Sequence, residues 1–115
     1  MSEVKFRALL DDVVQYGDEA ISTVSSLDAD QILAERLREH AVLRTVQIVG
    51  EAAAQAAKLD PAILSRIPDL RRAISLRNIL VHGYTKVRME EIVRIVRDDL
   101  PGLLERVRTL LGETK

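Results

Sequence analysis

Apolar residues in this chain recur at three- and four-residue steps almost from end to end, a period that only an α-helix converts into one continuous buried face. Phe6, Leu9, Leu10, Val13, Val14, Ala20, Ile21 and Val24 follow it and predict a first amphipathic helix over residues 3–26. Gly17 lies inside that run and weakens it by about 1 kcal/mol relative to alanine. The polar break Ser25-Ser26-Leu27-Asp28-Ala29-Asp30 supplies a turn and an N-cap. A second helix is expected over 31–58, with Leu33, Leu37, Val42, Val46, Val49, Ala53 and Ala56 inward. Asp60-Pro61 opens a short helical turn over 61–66. Pro68 and Asp69 restart the chain into a third helix, 69–82, which ends at Gly83. A fourth runs over 89–111, with a kink expected at Pro101, after Asp99, because the ring removes one hydrogen bond and clashes one turn back.

No segment alternates in the manner of a strand, and no stretch repeats. The expectation is all-α: a single domain over 1–115 built as an up-and-down four-helix bundle with short connections. With one Phe and no Trp, the core must be aliphatic. The absence of cysteine removes disulfides and thiolate chemistry. No apolar run approaches the roughly 20 residues of a membrane span, and the first residues lack a signal peptide's build, so a cytoplasmic protein without membrane contact is expected.

Charge is nearly balanced, at 17 basic and 18 acidic residues, which argues against a strongly basic nucleic-acid binder. Its distribution says more. Arg66, Arg71, Arg72, Arg77, Lys86 and Arg88 face only Asp69 within their window, giving it +5, while the rest of the chain carries −6. Such a window produces a local positive field able to attract a polyanion.

Inside it lies Arg77-Asn78-Ile79-Leu80-Val81-His82-Gly83-Tyr84. The chain has two His and two Tyr in all, and one of each falls here. On a helix, Arg77 lies in the middle of the apolar arc made by Leu70, Ala73, Ile74, Leu76, Leu80 and Val81. A charged group there needs a partner or a task. Asn78 and His82, four residues apart, share the polar face with Arg71 and Ser75. Arg77 and His82 are separated by about 140° on a straight helix, so joint action calls for a bent side chain, unwinding at Gly83, or a second subunit.

Phosphodiester cleavage in RNA is the chemistry that suits such a group. An imidazole can take the 2′-hydroxyl proton or give one to the leaving 5′-oxygen, with a symmetry mate's His82 in the other role. The planar fork of Arg77 suits the phosphate oxygens and the charge of the pentacoordinate state. Asn78 orients His82 from one turn back. No carboxylate cluster with metal-ligand spacing accompanies the motif, so no metal or cofactor is invoked.

Arg77, four residues, His82, one residue and Tyr84 match the Arg-x4-His-x-Tyr signature of HEPN domains, and the chain resembles the HepT-like toxins in particular. Ile48-Val49-Gly50-Glu51-Ala52 resembles that family's Ile-Gly-Glu-Ala segment, and Asp99-Leu100-Pro101 its Asp-Leu-Pro. After Ile67-Pro68 the family commonly has Trp, where this chain has Asp69. The resemblance implies a HEPN-type bundle, a homodimer joined at the motif helices, and a metal-independent endoribonuclease acting on tRNA or mRNA. It also implies a toxin–antitoxin system in which a cognate minimal nucleotidyltransferase transfers AMP to Tyr84.

Arg71, Arg72 and Lys86 are the further candidates for substrate contact. Glu51 reads in two ways: as a solvated glutamate beside Arg44, Gln47 and Gln55, or as a cleft residue paired with Arg77. His40 reads as a surface histidine and Tyr16 as a packing residue. The competing functional reading is a non-catalytic HEPN module that docks a nucleotidyltransferase or presents a nucleotide.

Overall fold

A computed structural model describes residues 2–81 and 86–113. Those residues are helical almost throughout, with no strand among them. The elements are α1 (Ser2–Val24), α2 (Ala29–Ala34), α3 (Arg36–Leu59), α4 (Ile63–Arg66), α5 (Leu70–Val81), α6 (Lys86–Arg94), a π-helical turn (Ile95–Asp99) and α7 (Leu100–Glu113). The central helix is α3, packed against α1 on one side and α5 on the other, while α7 lies along α1. The short α2 rests on α3 and α6. The all-α reading therefore holds.

The core is aliphatic, as expected. Leu10, Val13 and Val24 of α1 are buried with Val42, Val46 and Val49 of α3, Leu70 and Leu76 of α5, and Leu100, Leu103 and Leu104 of α7. Each fully buried Leu, Ile or Val contributes about 1.5–3 kcal/mol relative to exposure. Leu70, Ala73 and Leu76, all 0% exposed, thereby hold α5 to the body of the protein and fix the direction in which Arg77 leaves it. Thr45 is buried too, and its hydroxyl donates to the Ala41 and Val42 carbonyls at 2.8 and 3.0 Å, so no polar group is left without a partner there.

The second expected helix needs correcting. It is two helices, broken at Glu35, whose backbone is extended at φ −113°, ψ 99°. Leu37, assigned to the inner stripe, is 85% exposed. The reason is phase. On one straight helix, Leu37 and Val42 stand about 140° apart, so Leu33 and Leu37 cannot share a face with Val42, Val46 and Val49. The break resets the phase, letting α2 bury Ala29 and Ile32 while α3 buries its valines. The cap expected from the polar break is Asp28, two residues earlier than a helix starting at Gln31 would place it: its carboxylate accepts from the Gln31 amide at 2.9 Å, and the Gln31 side chain accepts from the Asp28 amide.

The turn after α1 is fastened from afar. Ser25 takes φ +49°, and the carbonyls it leaves behind accept from arginines. Arg97 donates to Ser25 and Leu27 at 3.0 and 2.6 Å, and Arg38 donates to Thr23 at 2.7 Å. Cations at a helix C-terminus also suit its dipole.

The Pro101 fault takes a particular form. Instead of a bare kink after Asp99, the backbone makes one π turn over Ile95–Asp99, in which the Leu100 amide donates to the Ile95 carbonyl. Pro101, whose ring cannot donate to the helical ladder, follows directly on that wider turn in a helix that otherwise runs on unbroken. Asp69 accepts from Arg106 of α7 at 2.6 Å, tying the start of α5 to the last helix. No helix among the described residues is long and apolar enough to cross a membrane.

Candidate active site on α5

Arg77 leaves the buried side of α5 towards α3, as its place in the apolar arc predicts. The crossing is close because Gly50 of α3 has no side chain: a Cβ there would come within 2.8 Å of the Arg77 Cβ and 3.0 Å of the Ala73 carbonyl oxygen. The next residue, Glu51, is thereby brought beside the guanidinium. Its Oε1 lies 3.8 Å from Arg77 Nη1, with the two side chains 46% and 35% exposed. Glu51 is thus both half exposed and within ion-pair distance of Arg77. At 3.8 Å the contact is an ion pair and too long for a hydrogen bond. The fork of Arg77 therefore retains donors for an incoming anion.

Glu51 also borders a shallow groove between α1 and α3, with Asp12, Arg44, Gln47 and Gln55 along it. Arg44 donates to Gln47 at 3.4 Å. The polar neighbours assigned to Glu51 from the sequence are thus its real ones. His40 is exposed and Tyr16 half-buried against the core, as expected.

The remaining cations do not form one field. Lys86 binds Asp30 at 3.2 Å and fastens the start of α6 to α2. Arg66 lines an apolar cavity of about 370 Å³ formed by the start of α1 and the ends of α3 and α7, with Phe6, Leu10, Asp60 and Leu110. Arg71 is exposed on α5. Arg72, by contrast, lines a cleft between α5 and α6 together with Asn78 and Arg88. The basic window thus separates in space: Arg77 faces α3, while Arg72 and Asn78 face α6.

Sequence reasoning missed Arg94, which completes that cleft from α6. The signal was present in the three-residue steps Arg88, Glu91 and Arg94, which keep all three on one side of a helix. His82 and Tyr84, the proposed acid/base and modification residues, lie outside the described residues, as do Gly83 and Thr85. Among the described residues, no group of three or more His, Cys, Asp or Glu side chains is placed to hold a metal ion.

Comparison with known proteins places this geometry in context. A family model described as "Ribonuclease HepT-like" matches residues 13–110. Two proteins of Methanocaldococcus jannaschii are similar along nearly their whole length. One, named "Putative RNase MJ1380", is 25% identical over 93% of this chain and 97% of its own. The other, "Putative RNase MJ0127", is 23% identical over 98% of this chain and 93% of its own. No solved structure matches the chain at a significant level.

Proposed function

This chain belongs to the HepT-like ribonuclease family, and on that premise we propose that it is a metal-independent endoribonuclease and the toxin of a type VII-like toxin–antitoxin pair. The observation that carries this reading is the guanidinium of Arg77, 35% exposed where α5 crosses α3 and 3.8 Å from the Glu51 carboxylate. A planar fork in that position offers paired donors to a phosphate.

In the proposed reaction the 2′-oxygen attacks the adjacent phosphorus and the bond to the 5′-oxygen breaks. His82 accepts the 2′-hydroxyl proton, and His82 of the partner subunit protonates the departing 5′-oxygen. Arg77 carries the charge that builds on the non-bridging oxygens, and Asn78 orients the imidazole. The products are a 2′,3′-cyclic phosphate and a 5′-hydroxyl. A homodimer is the assembly this division of labour requires.

Regulation follows from Tyr84, two residues beyond His82 in the sequence. Its phenol oxygen attacks the α-phosphorus of ATP on a cognate minimal nucleotidyltransferase, and pyrophosphate leaves. The AMP so attached adds a negative charge that repels RNA and pairs with nearby arginines.

The test is cleavage of an end-labelled tRNA pool in EDTA by wild type and His82→Ala. Cyclic-phosphate ends from the wild type alone support the reading. Equal cleavage by both proteins removes His82 from the mechanism. No cleavage by a folded, unmodified dimer favours a module that docks a nucleotidyltransferase without cutting RNA.

A further inference from the structure

The cleft between α5 and α6 has no part in the chemistry assigned to Arg77, yet it has the makings of an anion site. It measures about 320 Å³, and guanidinium groups enter from both walls: Arg72 from α5, Arg88 and Arg94 from α6. Ile79 and Ile95, 9% and 2% exposed, belong to the buried core and form its floor, so the cations stand on a fixed base. Asn78, exposed on the same wall as Arg72, stands four residues before His82 in the sequence.

Glu91 and Asp99 are carboxylates close to this lining, each at a long distance from one of its arginines. Glu91 lies 3.8 Å from Arg88, and Asp99 lies 3.9 Å from Arg72. Charge-assisted hydrogen bonds of this kind close to about 2.7–2.9 Å when they form fully. The Arg88–Glu91 pair, each side chain 40% exposed, contributes little, whereas Asp99 Oδ2 is buried without a hydrogen bond, so Arg72 stays beside it through Nε and has its outer Nη donors to offer an anion. The lining itself carries three cations against Glu91.

We infer that the α5–α6 cleft is a second phosphate subsite, which holds a backbone phosphodiester of the substrate RNA flanking the one that is cut. This rests on the reading of the chain as a ribonuclease. A single-stranded polyanion is the ligand that suits the shape and chemistry together. Guanidiniums on opposite walls clasp one phosphate. Arg72 and Arg94 are binding residues in this scheme, and Asn78 belongs both to the cleft lining and, in the sequence, to the motif.

The test is binding of a 2′-O-methyl RNA oligonucleotide, which cannot be cut through its 2′-oxygen, measured against salt concentration. Each phosphate neutralised on a single strand contributes about 0.7 to the slope of log affinity against log salt. Arg94→Gln and the double variant Arg72→Gln/Arg94→Gln are expected to lower affinity at low salt, the double variant by roughly tenfold, and to flatten the slope by up to about 0.7. Arg94→Gln alone serves if the double variant fails to fold. Arg108→Gln, at a cation paired with Asp18 on α1, changes charge equally and is expected to leave the slope unaltered. The inference is overturned by a slope that stays constant in the cleft variants, by an equal fall in Arg108→Gln, or by wild type that does not bind. Cleavage of the matching 2′-hydroxyl RNA separates the two ideas. Cutting with an unchanged slope discards the subsite and keeps the nuclease. Binding with the expected slope but no cutting keeps the subsite and discards the nuclease.

Discussion

Gly50 on α3 and Arg77 on α5 are in contact through backbone and Cβ, at a separation that leaves no room for a methyl group. A Cβ built on Gly50 would lie 2.8 Å from the Arg77 Cβ and 3.0 Å from its backbone nitrogen. The atoms it meets belong to the body of α5, which cannot move aside as the end of a side chain can. Gly50→Ala is therefore expected to destabilise the protein by about 1–3 kcal/mol, the usual cost of overpacking. Gly17 makes the useful comparison. A Cβ there meets the Leu104 methyl carbons at 2.6 and 2.8 Å, which can rotate, and the gain of about 1 kcal/mol in helix propensity is common to both alanines. Urea unfolding of both variants should show the larger loss for Gly50→Ala. The reverse order would mean that the α3–α5 crossing is not as tight as described.

Arg77→Lys separates charge from shape. The ammonium keeps the charge but lacks the fork that engages two phosphate oxygens. Cleavage by Arg77→Ala should fall by about 10²–10³, as for the loss of one transition-state donor, and Arg77→Lys should recover only part of that. Both variants should melt close to the wild type, because a half-exposed ion pair contributes about 1 kcal/mol or less. Steady-state kinetics alongside thermal melts provide the measurement. A large drop in melting temperature with unchanged cleavage per folded molecule would give Arg77 a purely structural role.

Glu51→Gln keeps the length and an acceptor oxygen while removing the charge beside Arg77. Stability should change by no more than about 1 kcal/mol, since the Glu51 side chain is 46% exposed. Cleavage should fall, and by less than in Arg77→Ala, because Glu51 positions the guanidinium without touching substrate. A loss equal to that of Arg77→Ala would instead assign Glu51 a direct part in the reaction.

Asp28→Ala removes the cap of α2. The lost side-chain contact to the Gln31 amide is expected to cost about 1 kcal/mol, which thermal melting would show. Cleavage per folded molecule should be unaffected, since α2 supplies none of the proposed site residues.

Most of the architecture was legible because local rules decide it. The helical period locates α1, α3, α5 and α7, the polar break over residues 25–30 announces a turn and a cap, and Pro101 announces a fault. The Glu35 break was also written in the residues, as the phase slip between Leu37 and Val42. It was missed because a good helix former such as Glu35 gives no local sign of a stop. Gly17 looked like a weakness on its own helix, and only the approach of Leu104 gives it a purpose.

For the site, the sequence determined which chemistry is available: an arginine, an asparagine, a histidine and a tyrosine within eight residues, in a window rich in cations. Which of those cations act together was beyond its reach. Lys86 was drawn off to Asp30, Arg66 to a cavity between other helices, and Arg94, outside the window, was brought opposite Arg72. Helical periodicity assigns each side chain a direction around its own axis and nothing more. Which direction meets a carboxylate, a cleft or open water depends on how α3, α5 and α6 cross, and burial of the aliphatic core decides those crossings.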